Sequence, residues 1–171
     1  MVNADFLVQY SVDPSERPLT DEAKALLSDA RIRAKNVQCF DFVPSNYENA
    51  WAILDALPRG TLCEWGSGLG VVVGLAELLG YQATGIELDS ELSEQSRELL
   101  ADHSCSALIR TGSYLESNQE FDYYYVYGWP GKRIEIEEHF IRIAPENARL
   151  LICYGQDDLR CMGQSSQSKN K

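Results

Sequence analysis

Apolar positions along this chain change period several times, and each change marks an element. From Asp5 to Val12 the residues Phe6, Val8, Tyr10 and Val12 alternate on one face, the period of a strand, which Pro14 and Pro18 end. From Thr20 the period lengthens: Ala23, Leu26, Leu27 and Ala30 share a helical face behind a Thr cap, predicting a helix over 21–35. Ser45-Asn-Tyr-Glu48 has the form of a capping box and opens a second helix, AWAILDAL, stopped by Pro58 and Gly60. Short apolar runs and helical periods then alternate: strands at 61–65, 82–87, 107–110, 122–127 and 149–154, helices at 70–79, 90–101 and 132–143. Such alternation predicts parallel strands joined by crossover helices: an α/β, doubly wound, mostly parallel, Rossmann-like sheet preceded by N-terminal helices. The stretch from the strand at 107–110 to that at 122–127 leaves room for little or no crossover helix.

The expected organisation is one domain over 1–160, with a strand and helices in 1–60, a ligand-binding core in 61–154, and a polar, unstructured tail over 161–171. The sheet is expected to be shortened at its C-terminal end, because the residues after Tyr154 are mostly polar. That would leave Leu150, Leu151, Ile152 and Cys153 on an apolar edge, which proteins cover. Residues 5–12 are expected to cover it in cis, with a symmetric homodimer as the alternative.

Composition narrows the function. The net charge of −11 excludes a broad nucleic-acid surface, and the basic stretch Arg31 to Lys35 reads as a solvated helix face. No signal peptide and no run long enough to span a membrane is recognisable. Five cysteines without a CxxC pair read as reduced thiols of a cytoplasmic protein, with no metal site. His103 and His139 lie outside any motif.

The chemistry is concentrated in LCEWGSGLGVVVGLAELLGYQATGIELD, residues 62–89. A strand ends in Glu64, glycines follow at 66, 68 and 70 around Ser67, and the next strand ends in Glu87. Glycines at a strand-to-helix turn bring backbone N–H groups against a ligand. An acid at the next strand end accepts from ribose hydroxyls, so the pair points to an adenosine-containing cofactor. A dinucleotide turn would place a small third residue at position 71, which is Val71, and no Gly-Lys-Ser/Thr occurs for a phosphate loop. A carboxylate ahead of the first glycine repels a pyrophosphate but suits the ammonium of a methionine moiety. Glu64 has a second reading as partner of the following helix N-terminus, Glu87 as a solvated strand end, and Leu88 as either an adenine contact or a core residue.

This segment resembles motif I and the following acidic motif of class I S-adenosylmethionine methyltransferases. The order FVPS, capped helix, EWGSGLG, GIELD, YVYGWP, ARLLICY more loosely resembles the ATP synthase c-subunit lysine methyltransferase-like family and its prokaryotic relatives. The resemblance implies S-adenosyl-L-methionine as cofactor, with Glu64 on the ammonium, Gly66, Ser67 and Gly68 along the backbone path, Gly70 for close packing, and Glu87 on the ribose. It implies Ser113 in place of the usual Asp near the adenine amino group, with Tyr114 available to stack on the ring; a plain turn is the other reading of Ser113. Pro44, Ser45 and Tyr47 are implied to close the site, while Tyr127 and Trp129 occupy the motif IV position beside the reactive methyl. The implied acceptor is an amine, on a protein lysine or a small molecule, and a catalytically silent cofactor-binding module or assembly subunit is the competing expectation. The family's sheet has seven strands and ends in an antiparallel hairpin, for which the sequence offers no evident counterpart.

Overall fold

The computed structural model describes residues 6–39 and 42–165. Seven strands form one sheet: β1 (Leu7–Tyr10), β2 (Thr61–Trp65), β3 (Gln82–Glu87), β4 (Leu108–Thr111), β5 (Tyr123–Tyr127), β6 (Arg149–Cys153) and β7 (Leu159–Gln164), in the order β1-β7-β6-β5-β2-β3-β4. The five central and right-hand strands run parallel, while β7 is antiparallel to β6 and to β1. Five helices accompany them: α1 (Asp21–Ala34), α2 (Tyr47–Ala56), α3 (Val71–Leu78), α4 (Ser90–Asp102) and α5 (Arg133–Ile143).

The strand period of two assigns β5 to both cores. Tyr123 and Tyr125 pack with α1 to α4 on one face, and Tyr124 and Val126 with Ile136 and Phe140 of α5 on the other. The winding is uneven. Four helices cover the first face, but α5 and a single 3-10 turn (Tyr114–Glu116) in the β4–β5 crossover serve the second. There Trp65 is roofed by the Tyr114 ring, stacked at 5.1 Å and 8°, and by His139. The sequence of α3, VVVGLAEL, is a poor helix former by intrinsic preference, yet Val71 to Ala76 are all buried and tertiary packing fixes it. A Cβ on Gly74 would come within 2.7 Å of Leu26 and 2.9 Å of Leu100, so its absence lets α1 and α4 close over α3.

Three expectations are corrected. The sheet is not shortened: Leu159–Gln164, partly assigned to a polar tail, forms β7 and pairs along all of β6. Its side chains show why it escaped notice, because Cys161 is buried while Arg160, Met162 and Gln164 on the other face are only half-buried. Residues 7–10 therefore cover the edge of β7 instead of β6, with Leu7 buried. The third correction is at α2, where Asn46 is the cap: its side chain accepts from Asn49 N at 3.0 Å, and Ser45 is turned towards Tyr125 and Cys153. Asp5 and the tail beyond Ser165 lie outside the described residues.

Deleting residues 1–12 is expected to bare β7 and cost about 2 kcal/mol or more, chiefly the burial of Leu7 and the edge ladder. Thermal melting with size-exclusion chromatography checks this. A truncated monomer with an unchanged melting temperature would show that β1 does not hold the sheet.

Candidate functional site

The parallel strands β2, β3 and β5 end on one side of the sheet, where α/β folds gather their ligands. A cavity of about 590 Å³ opens there, within the range of small-molecule sites of roughly 300–1,000 Å³. Its floor is the turn after β2. Gly66 N and Ser67 N both donate to Ile86 O, at 2.8 and 3.0 Å, which clamps the turn onto β3. Gly66 has φ +70, and a Cβ built on it would meet nothing within 4 Å. The turn thus presents bare backbone to the cavity.

Both acids are held by main-chain donors, Glu87 from the turn and Glu64 from the helix after it. Glu87 Oε2 accepts from Gly68 N at 2.8 Å and Oε1 from Asp89 N at 2.9 Å, so one carboxylate joins the glycine turn to the start of α4. Its oxygens keep further lone pairs for hydroxyl donors. Glu64 lies on the α3 side of β2 and Oε2 accepts from Val73 N at 3.2 Å, in the first turn of α3. The helix-partner reading of Glu64 is therefore met, and the same side chain also lines the cavity. Burial pushes its pKa well above the ordinary carboxylate range; the Val73 N–H opposes this and the charge of Glu87 adds to it. Tyr47 is also pushed upwards, by burial and then by Glu64. Below them Tyr125, wholly enclosed, accepts from Cys153 Sγ at 3.1 Å, and burial raises the Cys153 thiol to about 11.

The residues singled out in the sequence gather round this one space, with two exceptions. Pro44 is exposed and does not line the cavity, although Ser45 and Tyr47 do. Gly70 is buried under α4, where a Cβ would lie 2.2 Å from Ser96 Oγ, so its packing partner is a helix. Leu88 is 73% exposed on the rim, which disposes of its core reading. Ser113 Oγ accepts from Leu115 N at 3.3 Å as an ordinary turn residue while facing the cavity. Tyr114 gives one ring face to Trp65. Tyr127 and Trp129 meet edge to face at 5.4 Å on the opposite wall. Several lining residues were not singled out: Phe42, whose ring a Cβ on Gly68 would meet at 3.0 Å, and Trp65, both inside quoted motifs, and the α5 start with Lys132, Glu135 and Ile136, which carried none. The signal for the last group was position, directly after Tyr127-Gly-Trp-Pro130 and at helical spacing.

Comparison with protein-family models and with curated protein sequences finds no match for this chain. Solved structures do match. An O-methyltransferase from Bacillus cereus in complex with S-adenosylhomocysteine superposes with a TM-score of 0.62 at 13% identity, over 80% of this chain and 67% of that one. An RNA methyltransferase from Salinibacter ruber in complex with S-adenosyl-L-homocysteine gives 0.58 at 14%, over 91% and 97%. A ribosomal protein L11 methylase from Lactobacillus delbrueckii subsp. bulgaricus gives 0.58 at 11%, over 68% and 78%. The fold is that of the class I methyltransferases. Within that methyltransferase fold the three proteins are described as acting on different kinds of acceptor, and none carries the narrower likeness to the c-subunit lysine enzymes. Among the described residues no helix is long and apolar enough to cross a membrane.

Proposed function

We propose that this chain is an S-adenosyl-L-methionine-dependent methyltransferase that transfers a methyl group to an amine, on a protein lysine or a small molecule. The observation that carries this reading is the convergence on one cavity of the glycine turn held by Glu87, of Glu64 held by the first turn of α3, and of Tyr127 and Trp129. The open space in front of Gly66 and the size of the cavity suit a nucleoside with an amino-acid arm.

In this reading Glu87 accepts from the ribose hydroxyls and Glu64 receives the methionine ammonium. When bound, S-adenosylmethionine supplies a methyl group on a sulfonium that departs as a neutral thioether when a nitrogen lone pair displaces it. Tyr127 and Trp129 offer aromatic faces to positive charge on the acceptor side. Phe42 and Val43 exclude water above the turn, strengthening each electrostatic contact beneath them. The acceptor ammonium first gives a proton to water; the freed lone pair then forms the C–N bond as the S–CH3 bond breaks, so alignment and exclusion of bulk solvent supply most of the acceleration. The reading of the chain as a silent binding module rests on an incomplete sheet and on Ser113 in place of Asp; β7 removes the first of these supports.

S-Adenosylhomocysteine is expected to raise the melting temperature, by the equivalent of about 2.7 kcal/mol at a hundredfold excess over its Kd, whereas NAD leaves it unchanged. Thermal-shift measurements test the cofactor, and tritiated-methyl transfer to a panel of amines tests turnover. No shift at saturating S-adenosylhomocysteine would overturn the proposal.

A further inference from the structure

The cavity wall opposite the glycine turn holds a charged pair that the cofactor half does not use. Lys132 Nζ donates to Glu135 Oε2 at 2.9 Å, and both residues line the cavity with Tyr114, Tyr127 and Trp129. Among the described residues, the other lining carboxylates are committed to main-chain donors: Glu64 to Val73, Glu87 to Gly68 and Asp89, and Asp89 to Leu92. Glu135 instead holds the ammonium of Lys132, the one lysine among the described lining residues. Glu135 lines the same cavity as Tyr114, Tyr127 and Trp129, and after burial its charge is the further cause that raises the Tyr114 pKa. The two side chains are 62% and 42% exposed, and water screens an accessible pair of this kind, so it separates at little cost. Lys132 itself makes no side-chain cap for α5 and follows Gly131, whose φ is +87.

We infer that Glu135, with the aromatic faces of Tyr127 and Trp129, is a receptor for a primary alkylammonium group, and that Lys132 is its resident stand-in. This rests on the amine reading above and narrows it. A carboxylate beside aromatic faces attracts an alkylammonium by charge and by the ring quadrupoles, and repels phosphate or carboxylate groups. An acceptor bearing such a group, whether a lysine side chain or a free alkylamine, would displace Lys132 and bring its nitrogen to the wall beside Tyr127. A neutral hydroxyl acceptor would not displace the Lys132 ammonium, and a carboxylate would pair with Lys132 and not with Glu135.

The test titrates n-butylammonium, and separately a short peptide with a single lysine, into protein saturated with S-adenosylhomocysteine, following the indole N–H resonance of Trp129. Wild type is expected to respond to butylammonium. Glu135→Gln should weaken that response about tenfold, as expected for losing a charged partner. Lys132→Met, which removes the competitor, should strengthen it several-fold by simple competition. A response to the peptide well above that to butylammonium would assign the receptor to a polypeptide lysine, and the reverse to a free amine. Two variants moving in opposite directions are what a merely structural ion pair cannot produce. Equal weakening by both variants, or indifference to Glu135→Gln, would overturn the inference. Binding of S-adenosylhomocysteine is measured in the same samples: its absence would fail the methyltransferase reading, whereas its presence without an amine response fails only the receptor.

Discussion

The variant Glu64→Gln is expected to bind S-adenosylhomocysteine roughly tenfold or more weakly, and to lose the pH dependence of binding that the parent shows. Glu64 is buried with one main-chain donor and faces Glu87 from β3, Tyr47 from α2, and Tyr125 and Cys153 from β5 and β6; among the described residues no cation pairs with it. Its pKa in the free protein therefore stands well above the ordinary 4.5, and burial is the main cause. A raised acid stabilises the fold fully below its unfolded pKa, and that contribution is lost as pH rises towards the folded value. An arriving ammonium favours the carboxylate. Binding thus releases a proton, and affinity climbs with pH through the same window. Calorimetry in buffers of different ionisation enthalpy measures the proton directly, and melting curves against pH measure the stability side. Glutamine keeps the size and the acceptor oxygen but cannot ionise, so both slopes should flatten. A parent whose affinity is indifferent to pH would show that Glu64 does not meet the ligand's charge.

Gly70→Ala should cost about 2–5 kcal/mol, enough to threaten a fold of this size. Two terms add. Gly70 has φ +71, where a side chain costs about 1–2 kcal/mol. Its Cβ would also lie 2.2 Å from Ser96 Oγ and 3.4 Å from Ile109 and Leu100, an overpacking cost of about 1–3 kcal/mol. The double variant Gly70→Ala/Ser96→Gly separates them, since it removes the overlap and keeps the backbone strain. Urea denaturation of the three proteins gives both numbers. A Gly70→Ala protein as stable as its parent would show that the turn does not depend on the left-handed conformation.

Elements with a strong period could be read from the chain alone. The strand–turn–helix–strand frame over 61–87 and the alternating tyrosines of β5 need only local pattern, and the structure agrees with them almost to the residue. The convergence of Glu64, Gly66 and Glu87 on one cavity was legible for the same reason, because glycine and chain order impose the backbone geometry that places them. What escaped depends on partners distant in sequence. The strand LRCMGQ has only Leu159, Cys161 and Met162 as apolar marks, and becomes a strand because β6 and β1 satisfy its two edges. Ser45 loses the capping role to Asn46 because Tyr125 and Cys153 lie beneath it. Lys132 and Glu135 look like any exposed helical ion pair until the crossing of α5 over the strand ends puts them at the cavity.

The crossover from β4 to β5 has a further consequence. With only the turn at Tyr114–Glu116 before the strand resumes, this is the point at which length can be added without disturbing the glycine turn or the β2–β3 pairing. Closing a longer loop costs little, about 0.6 kcal/mol for each doubling of its length. A helix grafted between Ser117 and Glu120 would add length next to Tyr114, on the cavity's aromatic side. The glycine turn and the aromatic wall are in that sense separately editable, and a series of such insertions is a direct route to reshaping the cavity from one side.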